Sequence, residues 1–436
     1  MRQLPVRPTT KAQVSGFKFL QRRLELGLAL GDERMLHDPL GRRRKAFQVG
    51  VAISVLMCVG ASALAWLKPE PDPGDAPIIK AASGQLLVRR GEVLHPVSNL
   101  ASARLIVGEA AQPVRAGEQA LSEAKFGAQV GISDAPGLLN ETQVEEAPWS
   151  VCTHQSEDIP DSSAPRVPGS VDEVVLGHQA LPALGKEQGV LAEAGQSEWI
   201  IRSDERFQLP PADTPEGRAL RRHMNIDFST PRWRVPADVL SAIPEVAPLG
   251  RWEGEVLRTE QSAWLSLPQG IVPISETQRD ILLDLGNPEV QLGRTELTQR
   301  ADAGVRLDIP KRALEWIDPA QHPICVIARK ESGDFHVYVA AAPQQAKITQ
   351  GAMALSGVSI ATHAVSQARA LGVHTANGTH VIGESGRRHR ISEDHYPFLG
   401  LPNPVDIPWV MLRLLPEGSE LSPEHAANPL VAEDKS

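Results

Sequence analysis

Residues 47–67 have the sequence FQVGVAISVLMCVGASALAWL, and this stretch constrains the architecture more than any other. No Asp, Glu, Lys, Arg or His occurs in its 21 residues. At about 1.5 Å per residue such a helix rises roughly 31 Å, close to the thickness of the hydrocarbon core of a bilayer. The apolar core of a secretory signal peptide is shorter and lies near the chain start, whereas 46 residues come before this one. The sequence therefore predicts a retained transmembrane helix.

The charges on the two sides of this span predict its orientation. Residues 1–46 carry eleven Lys and Arg against four Asp and Glu, whereas the rest of the chain carries 33 against 49. Lys and Arg collect on the cytoplasmic flank of a span, so we expect residues 1–46 inside and residues 68–436 outside the plasma membrane. A basic cluster directly before the span is expected to contact anionic lipids of the inner leaflet rather than nucleic acid. It consists of Arg42, Arg43, Arg44 and Lys45.

A second helix is predicted in the cytoplasmic segment. Thr10-Lys11-Ala12-Gln13 has the form of a capping box, and Gly31 can supply a left-handed stop. Between them, apolar residues recur at spacings of three and four, which predicts an amphipathic helix. The apolar stripe consists of Val14, Phe17, Leu20, Leu24 and Leu28. Such a stripe lies on the inner membrane face or docks on a partner protein, and we favour the partner.

The cysteines agree with this topology. Cys58 lies within the span, whereas Cys152 and Cys325 fall in the part expected outside. An oxidising compartment favours pairing of the last two, and their spacing matches no metal-binding motif. The sequence therefore predicts a disulfide between them.

The part after the span is expected to begin with a stalk and to end in a flexible tail. Residues 68–77 contain four prolines and are predicted to form the stalk, and residues 416–436 are predicted to form the tail. Between them, residues 78–415 are predicted to form an α+β domain. In that domain a strand, a turn, a second strand and a helical segment recur in the same order. These repeated hairpin-helix modules lie near residues 86–106, 199–220, 264–285 and 380–399.

A search for catalytic motifs gives no candidate. The phosphate-binding pattern G-x-x-x-x-G-K-[ST] is absent, because Glu187 follows Gly185-Lys186. The H-E-x-x-H and G-x-S-x-G patterns are also absent. Four histidines lie close in sequence, but their spacings match no metal-ligand pattern and we expect them on loop and strand surfaces: His374, His380, His389 and His395. We therefore predict no catalytic, cofactor or metal site.

Several longer stretches occur in an order typical of one family. They are PTTKAQVSGFKFL at residues 8–20, GQLLV at 84–88, HPVSNLASARL at 95–105, APWSVC at 147–152 and PWVMLRLLP at 408–416. This succession resembles the EccB family of membrane components of type VII (ESX) secretion systems, and the resemblance covers essentially the whole chain. It implies a structural subunit of the inner-membrane core complex that takes part in protein export. It also implies partners that resemble EccC, EccD and EccE.

The resemblance further implies an elongated exported domain, with repeats around a central region and a disulfide at the positions of Cys152 and Cys325. We also expect this domain to self-associate. Members of the family carry an ATPase label, so an ATPase subunit that binds ATP is an alternative, although no Walker motif occurs. A cell-wall-binding or sensor protein is a second alternative. It would need a cleft lined by aromatic side chains, whereas the aromatic residues here are scattered along the chain.

Overall fold

The computed structural model describes residues 9–31, 39–67, 71–143, 146–155, 171–246, 252–365 and 369–430. The chain divides into two compact units, Met1–Pro71 and Asp72–Ser436. Residues 68–70 of the predicted stalk and 431–436 of the predicted tail lie outside the described residues. The same is true of residues 1–8 and 32–38 of the predicted cytoplasmic segment.

In its described residues, the first unit contains the helices α1 (Lys11–Leu30) and α2 (Pro39–Leu67). At the start of α1, the Thr10 hydroxyl accepts a hydrogen bond from the backbone N–H of Gln13, whose side chain accepts one from the N–H of Thr10. Gly31 ends the helix in the left-handed conformation, with φ 68°. Both predicted ends of α1 are thus confirmed. Helix α2 begins eight residues before the predicted span, so the basic cluster belongs to the same helix.

The second unit, called the domain from here on, is a mixed α/β structure. Its helices are α3 (Leu100–Val107), α4 (Glu118–Ser122), α5 (Pro215–His223), α6 (Ala237–Leu240), α7 (Glu276–Asp284), α8 (Arg294–Leu297), α9 (Trp409–Leu412) and α10 (Pro423–Ala427), with a 3-10 helix at Tyr396–Leu399. Its first strands are β1 (Ile78–Lys80), β2 (Leu86–Arg90), β3 (Val93–Val97), β4 (Val114–Arg115), β5 (Lys125–Phe126), β6 (Trp149–Gln155), β7 (Val171–Gly177), β8 (Gln188–Ala194), β9 (Ser197–Ile201), β10 (Arg206–Gln208) and β11 (Arg232–Arg234). The later strands are β12 (Glu255–Arg258), β13 (Ala263–Leu267), β14 (Gly270–Ile274), β15 (Glu289–Gln291), β16 (Glu315–Trp316), β17 (Ile324–Glu331), β18 (Asp334–Ala341), β19 (Ala352–Ala354), β20 (His363–Val365), β21 (Leu371–Thr375), β22 (Gly378–Ile382), β23 (Arg388–Arg390) and β24 (Val405–Asp406).

Four sheets of the domain have the same internal order. They run β4-β1-β2-β3-β5, β11-β8-β9-β10, β15-β12-β13-β14 and β24-β21-β22-β23, and we call them the first to fourth small sheets. In each, three consecutive strands pair antiparallel, and a later strand pairs parallel to the first of the three. A helix follows each hairpin along the chain, namely α3, α5, α7 and the 3-10 helix. The stretches predicted as modules lie on these hairpins and helices.

A fifth, six-stranded sheet runs β18-β17-β6-β7-β20-β19. Its apolar side chains share one buried cluster with those of the second and fourth small sheets. Two indole hydrogen bonds also connect the six-stranded sheet to these small sheets. Trp233 Nε1 donates to Thr153 Oγ1 over 2.9 Å, and Trp149 Nε1 donates to the Asp406 carbonyl over 2.8 Å. A second buried cluster joins the second and third small sheets. The six-stranded sheet therefore holds two of the small sheets directly.

Helix α3 and the fourth small sheet meet through a third buried cluster, which includes residues predicted to be a flexible tail. Leu421 and Ala426 are completely buried, with Leu105 of α3 and Leu399 in the same cluster. The Leu421 backbone N–H donates to the Arg390 carbonyl over 2.9 Å. The predicted tail is therefore wrong for residues 416–430, because this segment adds apolar side chains to the core.

Candidate functional site

Helix α2 contains the candidate membrane span. Lys45–Leu64 is long and apolar enough to cross a bilayer by length and composition, and none of it is buried. In the apolar stretch, the Ser62 hydroxyl donates to the Cys58 carbonyl over 2.8 Å, so this polar group is satisfied inside the helix. Arg42, Arg43 and Arg44 lie in α2 before the span, and the Lys45 side chain is exposed. The sequence and the structure thus agree on one candidate spanning helix among the described residues.

The apolar stripe of α1 is exposed along its whole length. Phe17 is 69% exposed, Leu20 60% and Leu28 81%, and Val14 and Leu24 are exposed as well. Phe19 lies outside the stripe and is also exposed. A contiguous exposed apolar surface of this kind marks a site of contact with a protein or a membrane. The structure therefore presents the five predicted residues on an accessible helix surface.

Cys152 and Cys325 form a disulfide, which confirms the predicted pair. They face each other across the adjacent strands β6 and β17, with 4.0 Å between their Cα atoms. Both are buried, among the side chains of Val175, Ile327 and Tyr338. The bond joins residues 173 positions apart at the centre of the six-stranded sheet. In the chain-entropy model a loop of this size stabilises the folded state by about 5 kcal/mol at most.

The four histidines occupy different environments, and the expectation that all lie on surfaces is wrong. His380 and His389 are buried, and they lie on the strands β22 and β23 of the fourth small sheet. His389 Nδ1 lies 2.9 Å from the Ser419 carbonyl, and burial lowers the pKa of both imidazoles. Within the described residues, no group of three or more His, Cys, Asp or Glu side chains is placed to hold a metal ion.

One buried cation, Arg104, could not be predicted from the sequence. The Arg104 side chain of α3 is completely buried and donates to the Leu399 carbonyl over 2.6 Å and to Glu141 over 2.8 Å. Hydrogen bonds from Arg104 and Gln112 lower the pKa of the Glu141 carboxyl. Arg104 therefore ties α3 to the 3-10 helix of the fourth small sheet. Residue spacing could not predict this contact, because it bridges 295 positions.

Comparison with known proteins identifies the family. A family model described as "Type VII secretion system ESX-1, transport TM domain B" matches residues 6–434. The chain belongs to this EccB family. The relative named ESX-1 secretion system ATPase EccB1, from Mycolicibacterium smegmatis, is 28% identical to this EccB-family chain in an alignment that covers 96% of the chain and 95% of the relative.

Two solved structures share the fold of this EccB-family chain. A chain from the structure of an intact ESX-5 inner membrane complex has a TM-score of 0.70 and 24% identity, with 99% of this chain and 98% of that chain covered. The structure of an EccB3 dimer from the ESX-3 core complex has a TM-score of 0.68 and 20% identity, with 81% and 100% covered. The mixed α/β fold of the domain is therefore also found in chains from the ESX-5 and ESX-3 complexes.

Proposed function

We propose that this chain is a structural subunit of the inner-membrane core complex of a type VII secretion system and takes part in protein export. The observation that supports this most strongly is the family match over residues 6–434, in a chain whose described residues include a candidate spanning helix followed by a large α/β domain. The fold similarity to a chain of an ESX-5 inner membrane complex supports the same role. In this role the chain needs no cofactor of its own.

We place residues 1–46 in the cytoplasm and the domain outside the membrane. The excess of Lys and Arg before the span and the buried disulfide after it support this orientation. A reporter that is active only outside the membrane should be active when fused after Pro77 and silent when fused after Gly41. The reverse pattern would overturn the orientation.

We also propose that the four small sheets are copies of one hairpin-helix module arranged around the six-stranded sheet. Their common strand order, with a parallel fourth strand and a helix after each hairpin, supports this. In an experimental structure of the domain, the four sheets should superpose strand for strand. A small sheet with a different strand order would not be a copy of this module.

The exposed stripe of α1, the basic cluster before the span and the domain each suggest a binding partner. We propose that α1 docks on an EccC-, EccD- or EccE-like subunit and that the cluster Arg42–Lys45 contacts anionic lipids. We also propose that the domain self-associates, which the EccB3 dimer from the ESX-3 core complex supports by its similar fold. Extraction of the full chain with mild detergent should bring down other type VII membrane components, which mass spectrometry can identify. A chain that is always extracted alone would contradict subunit membership.

An ATPase subunit is the second candidate, favoured by the name of the relative that aligns with 96% of the chain. We expect the structural role because no phosphate-loop motif presents backbone donors and a Lys to the phosphates of a nucleotide. The purified full chain should therefore hydrolyse ATP no faster than a heat-denatured sample. Saturable hydrolysis that falls with a single point substitution would establish the ATPase instead.

A further inference from the structure

A basic cavity of about 480 Å³ lies at one end of the second small sheet. Three segments form it: residues 185–187 before β8, the turn 202–205 between β9 and β10, and residues 306–314 before β16. Strand β16 pairs with β8, and the Glu315 N–H donates to the Glu187 carbonyl over 2.7 Å, which holds the third segment against the first. The volume falls in the range of about 300–1,000 Å³ that small-molecule sites occupy.

Cations outnumber anions on the walls of this cavity. Three acidic side chains line it, Glu187, Asp204 and Glu205, against five basic ones. The basic side chains are Lys186, Arg202, Arg306, Lys311 and Arg312. The domain as a whole carries an excess of acidic residues, so this concentration of positive charge runs against its surroundings.

The ion pairs inside the cavity leave part of that charge uncompensated. Arg312 pairs with Glu187 over 2.5 Å, and Arg202 and Arg306 share Glu205. Lys186 and Lys311 are exposed at the rim, and neither forms an ion pair with a described carboxylate. The cavity therefore presents two unpaired ammonium groups beside two guanidinium groups that share Glu205, with the carboxylates of Asp204 and Asp308 also acting on Arg202.

Arg202 is the innermost of these cations. Its Nε is buried and has no hydrogen-bond acceptor among the described residues, and its side chain is 24% exposed. Burial and the neighbouring charge of Arg306 lower the pKa of the Arg202 guanidinium, and the carboxylates of Asp204 and Asp308 offset part of that effect. A buried donor without an acceptor is uncommon in folded proteins, and a guanidinium is the group best shaped to hold phosphate oxygens.

We propose that this cavity binds a multiply charged anion of the phosphate class. Arg202 and Arg306 contact the phosphate oxygens, and Lys186 and Lys311 hold the remaining charge at the rim. The anion offsets the repulsion between the two guanidinium groups. Free phosphates and nucleotides share this chemistry, so the experiment separates them.

The full chain, purified in a non-ionic detergent, is titrated with inorganic pyrophosphate and with ATP by calorimetry at physiological ionic strength. We expect saturable binding of pyrophosphate that the variant K186Q/K311Q weakens by about five- to tenfold, since each rim charge contributes a modest, salt-screened attraction. The exposed Arg306 allows a second variant, R306Q, which should weaken binding without unfolding the chain. The control K80Q/K347Q removes the same charge from exposed lysines elsewhere and should bind as the unmodified chain does.

Comparable affinities for pyrophosphate and ATP would support recognition of the phosphates alone, and a tenfold or greater preference for ATP would support a nucleotide in the same cavity. The proposal is overturned if neither probe saturates. It is also overturned if K186Q/K311Q and R306Q bind as tightly as K80Q/K347Q.

Discussion

The helices α1 and α7 begin in the same way and bury very different parts of their surfaces. Each starts with a capping box, formed by Thr10 and Gln13 in α1 and by Ser275 and Gln278 in α7. Apolar side chains of α7 are buried: Ile281 and Leu282 are 1% and 0% exposed, whereas those of the α1 stripe are largely exposed. Local sequence thus determines where a helix starts, whereas the environment of its apolar face depends on the elements that pack against it.

The environment of α7 is supplied by the domain itself. Ile281 and Leu282 belong to the buried cluster of the second and third small sheets, and Gln278 donates to the Ile309 carbonyl over 2.7 Å. For α1, the stripe residues are exposed and belong to none of the buried clusters in the described part of the chain. A partner protein that covers this stripe would bury the apolar side chains of α1, as the small sheets bury those of α7.

The largest expected effect tests that difference directly. The double substitution Phe17→Asp and Leu20→Asp should strip partner proteins from the purified membrane protein, because burial of each side chain contributes roughly 1.5–3 kcal/mol. Membrane insertion and the disulfide should remain. Mass spectrometry of the extracted complex measures the loss, and A12D/S15D is the matched control, with two new carboxylates outside the stripe. If the F17D/L20D variant still forms the full complex and secretion is normal, α1 does not dock on a partner and serves as a membrane-surface anchor or a spacer.

Removal of the disulfide should affect the domain alone. We expect C152A/C325A to lower the free energy of unfolding of the domain by about 2–5 kcal/mol, because the unfolded chain gains the entropy of a long open loop. Denaturant unfolding of the full chain, followed by Trp fluorescence, measures this change. The control Cys58→Ala alters an exposed thiol in α2 and should leave the midpoint in place. Equal midpoints for C152A/C325A and Cys58→Ala would contradict a stabilising role.

One leucine from each helix gives a narrower comparison. Leu282→Ala should lower the unfolding free energy of the domain by about 2–5 kcal/mol, because it leaves a cavity in a close-packed cluster. Leu20→Ala should change it by less than about 0.5 kcal/mol, since exposed positions contribute little to folding. The same denaturant experiment measures both. A cost for Leu20→Ala similar to that for Leu282→Ala would mean that the domain itself covers the α1 stripe.

The features that sequence could predict rest on neighbouring residues. The capping box and Gly31 determine both ends of α1 through contacts within four positions, and the apolar run of α2 needs no partner to be recognised. The disulfide was predictable for a different reason: Cys152 and Cys325 are the cysteines that remain once Cys58 is placed in the span.

The features that sequence missed depend on contacts between distant residues. The segment 416–430 looks polar and rich in turn-forming residues, yet Leu421 and Ala426 complete a core that joins α3 to the fourth small sheet. His389 is buried because the same segment passes over it and places the Ser419 carbonyl beside its ring. The basic cavity likewise needs Arg202 and Arg306, whose segments come together because β8 pairs with both β9 and β16.

The smallest expected effect comes from removal of the capping side chains of α7 and α1. The same hydrogen bond is lost in both helices, but the loss should change the stability of the domain in one case and only the local order of α1 in the other. Ser275→Ala removes the acceptor of the Gln278 N–H in a folded domain, so it should lower the unfolding free energy of the domain by about 1 kcal/mol. Thr10→Ala removes the equivalent bond in α1 and should instead loosen the first turn of that helix, with no change in the domain. Denaturant unfolding reads the first change, and amide hydrogen exchange over residues 11–15 reads the second.

The expected pattern depends on α1 having no packing of its own, because most of the stability of a protein helix comes from packing of its apolar face, and a helix without that packing loses order at its first turn when the cap is lost. In the assembled complex, a partner on the stripe should restore the slow exchange of residues 11–15 in the Thr10→Ala variant, since packing then outweighs the missing bond. Fast exchange in both the isolated and the assembled protein would mean that nothing covers α1. A loss of domain stability in Thr10→Ala as large as that in Ser275→Ala would show that the two helices share one cooperative unit, and the contrast between them would then fail.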